Sequence, residues 1–191
     1  STLVDGGCGD LNTLDGLRET VQRLRPDVIV NAAAHTAVDK AQSEPELART
    51  INALAPCALA QAAHDVGALL VHYSTDYVFD GTKKEPYVED DPPNPVSSDG
   101  RSKLAGEQAI ALSGATHLIF RTSWVYAARG QNFVRTMLRL GQERRELRIV
   151  DAQVGAPTWA RFIAEATAQV LRQLGDGHKA IGDRGGIYNL T

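Results

Sequence analysis

The residues able to do chemistry fall into three short words, each placed where an apolar run ends or a helix begins. Ser74-Thr75-Asp76-Tyr77-Val78-Phe79-Asp80-Gly81 follows the run at 68–73. Hydroxyl groups there can hold a carbonyl oxygen, and the aromatic rings can flank a flat or sugar ring. Asn31-Ala32-Ala33-Ala34-His35-Thr36 follows the run at 27–31. Small residues at the carboxyl end of a parallel strand let a ligand approach the backbone, in the crevice where doubly wound sheets bind nucleotides. Gly100-Arg101-Ser102-Lys103-Leu104-Ala105-Gly106-Glu107 opens a helix and supplies an ammonium group.

Each word also has a plainer use. The alanines suit strand–helix packing, and a lone histidine such as His35 is more often structural than catalytic. Tyr77 and Phe79 can be loop anchors, and Lys103 can pair on a helix surface with Glu107, four residues on. Taken singly, none of the three decides a function.

The elements that must position these words alternate strand and helix. Apolar runs at 27–31, 68–73 and 117–121 read as parallel strands covered on both faces. Ser43, Pro45 and Glu46 begin a helix that runs to about His64, with Gly67 after its end. Residues 80–99, with four prolines, read as a long irregular loop, a length that is usually functional. Helices are expected at about 102–112, 132–142 and 158–174, and strands at 147–150 and 187–190. This order predicts an α/β fold built on a doubly wound, Rossmann-like parallel sheet. Residues 1–150 would form a partial dinucleotide-binding domain, and 151–191 would lead toward a substrate-binding region. Gly6-Gly7-Cys8-Gly9 lacks the G-x-G-x-x-G spacing and a preceding apolar strand, so it reads as a turn and not as a phosphate loop. The first strand–glycine loop–helix unit and most of a small substrate domain are expected to lie beyond the two ends.

Composition removes several classes. A net charge of −3 gives no basic footprint, which argues against nucleic-acid binding. No apolar run approaches the roughly 18 residues that a membrane span needs. The two cysteines, Cys8 and Cys57, lie far apart with no partner motif, and read as free thiols of a reducing compartment, the cytoplasm by default. No metal-ligand set is assigned.

Together the three words, with Arg121-Thr122-Ser123-Trp124-Val125-Tyr126 and Gly155-Ala156-Pro157-Thr158, closely resemble the dTDP-4-dehydrorhamnose reductases, a family of extended short-chain dehydrogenase/reductases. The resemblance covers the chain from about residue 10 onward. It implies reduction of the 4-keto group of dTDP-4-dehydro-L-rhamnose by NADPH or NADH, and a possible homodimer. It places Asp10 and Leu11 near the adenine, and Ala32, Ala33 and Ala34 along the cofactor. Lys103 would bind the nicotinamide ribose and Thr75 the keto oxygen, while Asp76, Tyr77, Val78, Phe79 and Trp124 would face the dTDP-sugar.

One position departs from that pattern. The family's proton-donating tyrosine stands four residues before the lysine, and here that position is Asp99. A carboxyl with an ordinary pKa near 4 is ionised at neutral pH, and a nearby lysine favours that form. A carboxylate accepts hydrogen bonds and has no proton to give. The alternative reading is therefore a non-catalytic relative that binds a nucleotide or a protein partner, of the type of the methionine adenosyltransferase regulatory subunit.

Overall fold

The computed structural model describes residues 10–35, 44–175, 181 and 184–191. Ser43, the glycine-rich segment at 6–9 with Cys8, and residues 36–40 lie outside the described residues. The chain begins with α1 (Leu14–Leu24), β1 (Val28–Asn31), α2 (Pro45–Arg49), a π-turn (Thr50–Leu54) and α3 (Ala55–Val66). It continues with β2 (Leu69–Thr75), a 3₁₀ turn (Asp76–Val78), α4 (Ser98–Leu112), β3 (His117–Thr122) and β4 (Val125–Tyr126). It finishes with α5 (Phe133–Glu143), β5 (Thr158–Trp159), α6 (Ala160–Leu174) and β6 (Gly186–Asn189).

Strands β1, β2, β3 and β6 form one parallel sheet in that order, and β4 pairs with β5 apart from it. Register sets Asn31 beside His72 and Thr75 beside Thr122, so the polar strand ends share one carboxyl edge. On one face, Leu17 and Val21 of α1 meet Leu59 and Ala63 of α3, Ile110 of α4, and Leu70 and Ile119 of the sheet. On the other, Val170, Leu171 and Leu174 of α6 cover Leu69, Val71, Leu118 and Phe120. The expected parallel α/β architecture with helices on both faces is the one observed.

Three local expectations need correction. α1 was not expected, although Leu14, Leu17, Val21 and Leu24 carry helical spacing. The expected strand at 147–150 is absent: Ile149 and Val150 are exposed in irregular chain, because no strand lies beside them to take their hydrogen bonds. The helix expected from residue 102 begins at Ser98, where the Ser97 hydroxyl accepts from Gly100 N (3.0 Å) as an N-cap. Asp99 and Lys103 therefore stand one turn apart on a single helix.

Helix α4 buries an unusual face, made of Asp99, Gly100, Lys103, Gly106, Glu107 and Ile110. The two glycines explain how it lies so close. A Cβ on Gly100 would collide with the Tyr77 carbonyl, and one on Gly106 with the Asn52 carbonyl of the π-turn. We expect Gly106→Ala to cost about 1–3 kcal/mol through this forced overlap, read as a Tm several degrees lower in thermal unfolding. An unchanged Tm would mean that α4 and the π-turn can part freely.

Candidate active site

The carboxyl edge of the sheet gathers most of the residues singled out in the sequence. β2 delivers Thr75, whose hydroxyl donates to Asp76 Oδ1 (3.2 Å) and accepts from Tyr77 N (3.2 Å). Asp76 Oδ2 accepts from the Ser123 hydroxyl (2.6 Å) just past β3. Asp76 thus fixes the Thr75 hydroxyl from the side of the next strand. α4 delivers Lys103, whose Nζ donates to the Tyr73 carbonyl (2.8 Å), two residues before Thr75. Lys103 and Thr75 are thereby referenced to one stretch of backbone.

Asp99 and Lys103 are each only 6% exposed. Burial lowers the lysine pKa to about 8, against the raising influence of Asp99 and Glu107. Burial raises the Asp99 carboxyl, opposed by Lys103 and His35. The sequence alone suggests that the lysine decides the state of Asp99; desolvation of the carboxylate is the larger effect. Tyr77 is half-buried, and its phenol is pushed above its ordinary value by burial and then by Asp76 and Asp99.

On the neighbouring strand end, Ala32 and Ala33 are exposed and Ala34 is half-buried. His35 is held through its backbone: its N–H donates to Asn52 Oδ1 (2.9 Å), and its carbonyl accepts from Asn52 Nδ2 (3.2 Å). The same amide donates to Ser102 (3.0 Å), whose hydroxyl donates to the Asp99 carbonyl (2.8 Å). Asn52 therefore ties the loop after β1 to the start of α4, and the π-turn is the local distortion that carries it there. Neither Asn52 nor Ser123 was singled out from the sequence. The available signal for Asn52 was a polar residue on an otherwise alanine-rich helical face.

The remaining sequence-predicted residues are placed less uniformly. Val78 is fully buried, and Phe79 nearly so; its ring is stacked on Tyr87 (4.3 Å between centroids) and lies under the Arg121 guanidinium (4.9 Å). Trp124 is half-buried with φ of +42°, a left-handed conformation that costs about 1–3 kcal/mol for such a residue. Its indole lies on Gly155, where a Cβ would come 2.5 Å from Nε1. Asp10 and Leu11 precede α1: Asp10 Oδ1 accepts from Asn12, and Leu11 packs on the core cluster. The bare Cβ surface of Ala32 and Ala33, the buried His35 Nδ1 that has no partner among the described residues, and the adjacent ammonium together suit the close approach of a dinucleotide.

A parallel sheet covered on both faces, with its polar chemistry along one carboxyl edge, is the Rossmann-like class of nucleotide-binding α/β proteins. The family model described as RmlD substrate binding domain matches residues 3–191, and the chain belongs to that family. It is 56% identical over 165 residues to dTDP-4-dehydrorhamnose reductase of Salmonella typhimurium, covering 86% of this chain and 55% of the relative. The solved dTDP-4-dehydrorhamnose reductase of Clostridium acetobutylicum superposes with a TM-score of 0.87 at 40% identity, covering 96% of this chain and 62% of that one. The Bacillus anthracis dTDP-4-dehydrorhamnose reductase, solved in complex with NADP, gives 0.85 at 38% identity, covering 95% and 62%. The chain spans little more than half the length of these relatives. Among the described residues, no helix is long and apolar enough to cross a membrane.

Beneath the site, His72 Nδ1 faces Asn31 Nδ2 (3.0 Å), and its Nε2 is buried without a partner among the described residues. Burial first, and then the Lys103 charge, hold its pKa at about 3. The ring therefore stays neutral in the fold, while the unfolded chain takes up a proton near pH 6.5. Stability present above that pH is lost as the pH falls from about 6.5 toward 3. The urea midpoint is expected to decline across this window and to decline less steeply in His72→Gln. Equal slopes for the two proteins would remove His72 from the acid response.

Proposed function

We propose that this chain carries the reductive site of an enzyme that converts dTDP-4-dehydro-L-rhamnose to dTDP-L-rhamnose with NADPH or NADH, a step that supplies a precursor for cell-surface polysaccharide. The observation that carries this reading is the pairing of Thr75 with Lys103. The hydroxyl and the ammonium are both anchored to the end of β2, beside the exposed alanines of the β1 end. The reduced nicotinamide, when bound, supplies the hydride. Thr75 holds the keto oxygen once its single O–H turns to it from Asp76 Oδ1, and Lys103 orients the ribose through an N–H that the Tyr73 carbonyl does not use. Ala32, Ala33 and Ala34 give the cofactor room at the strand end, with Asp10 and Leu11 toward the adenine. Tyr77 and Trp124, both half-buried, offer ring surface to the sugar, while Val78 and Phe79 brace that wall from the core.

Asp99 favours a second reading, in which the site binds a nucleotide or a partner without turnover. Absorbance of NADPH in the presence of dTDP-4-dehydro-L-rhamnose separates the two. Under the reductive reading, the natural full-length protein oxidises NADPH, and Asp99→Tyr raises turnover, by up to about a hundredfold where the site has no other proton donor. Retained sugar-nucleotide binding with no oxidation in either protein would establish the second reading.

A further inference from the structure

Resting on the reductive reading, we propose that Lys103 gives the proton to the reduced oxygen in this chain, directly or through one water, as well as orienting the cofactor. Its ammonium is held in place by backbone. Its Nζ sits on the Tyr73 carbonyl (2.8 Å), two residues before the hydroxyl that would hold the keto oxygen. An ammonium has three N–H groups, and this contact uses one. No carboxylate among the described residues lies within ion-pair distance of Nζ to hold the others. Asp99 one turn before it and Glu107 one turn after act only at a distance, and Glu107 is taken up by Arg121 of β3 (2.7 Å). From β2, His72 faces the ammonium as a neutral ring.

The competing donors fit less well. A donor works best when its pKa lies near the working pH. The ammonium, held at about 8, meets that condition. The Tyr77 phenol is driven away from it, above its ordinary value of 10.0. Asp99 is raised by burial over the opposing Lys103 and His35, but among the described residues no hydrogen bond fixes its carboxyl, whereas the Lys103 ammonium is held on the Tyr73 carbonyl. A threonine hydroxyl is a far weaker acid than any of these.

In the step itself, a hydride with its electron pair passes from the reduced nicotinamide to the carbonyl carbon. The carbonyl π pair moves onto oxygen, and that oxygen takes one proton as an Nζ–H bond breaks. The products are a secondary alcohol, an oxidised nicotinamide and a neutral amine, which recovers its proton from solvent.

The test uses the natural full-length protein, Lys103→Arg and Asp99→Asn. Arginine keeps the charge and the donors but releases no proton in the working range. Wild-type kcat/KM is expected to hold steady below pH 8 and to fall about tenfold per unit above it. Lys103→Arg is expected to lose at least about a hundredfold with no break near 8. In cofactor-free protein, the pH dependence of acylation of Lys103, followed by peptide mass spectrometry, should be half-maximal near pH 8. In Asp99→Asn, which lacks the raising carboxylate, that midpoint should lie lower. A wild type that turns over, with a rate and pH break indifferent to Lys103→Arg, overturns the proposal and leaves the reductive reading standing. A labelling midpoint near 10.5 overturns it as well. A midpoint near 8 in a protein that binds the sugar nucleotide and never reduces it overturns the reductive reading, and the proposal with it.

Discussion

The structure around the site depends on burying a polar helix face, which one buried ion pair anchors to the sheet. The buried face of helix α4 consists of Asp99, Lys103 and Glu107, with two glycines and a single isoleucine. Glu107 is answered by Arg121 of β3 through two hydrogen bonds, Nε to Oε1 (3.0 Å) and Nη2 to Oε2 (2.7 Å). A buried ion pair of this kind adds little net stability over an apolar pair, yet removing one partner costs about 3–5 kcal/mol. Its role is therefore to dictate where α4 sits more than to hold the fold together. Lys103 is answered by a backbone carbonyl, and Asp99 has no direct counter-ion among the described residues.

The same guanidinium reaches further. It lies over Phe79, which stacks on Tyr87, so the pair that docks α4 also pins the start of the long loop. Asp80, held well below the usual carboxylate range by donors from Thr82, Asn94 and Tyr87, gathers that loop on itself. Glu89 and the Tyr87 carbonyl then accept from Asn189 at the end of β6. The irregular stretch is a built surface, joined at one end to the site and at the other to the fourth strand.

Much of this was legible in the sequence, for identifiable reasons. The parallel strands β1, β2 and β3 were visible because continuous apolar runs have few other uses, and the three chemical words sit where those runs end. The Asp99–Lys103 spacing was visible because four residues make one turn of a helix. The fate of Asp99 was not, because desolvation depends on what covers a carboxyl and a sequence shows only its neighbours. Asn52 was hidden for a related reason: its partners His35 and Ser102 lie 17 and 50 residues away, and the π-turn that aims it has no local signature. The false strand at 147–150 shows the converse, since an apolar run forms a strand only if another strand offers it hydrogen bonds.

Trp124 and Gly155 illustrate how such a site constrains its own descent. The indole covers the glycine, leaving no space for even a methyl group. A lineage cannot replace Gly155 first without displacing the ring, whereas replacing Trp124 with a smaller residue frees the glycine at once. The two positions have a preferred order of change. Drift on the Gly155 side is held back by the aromatic that covers it, so any route to a differently shaped surface here begins at residue 124.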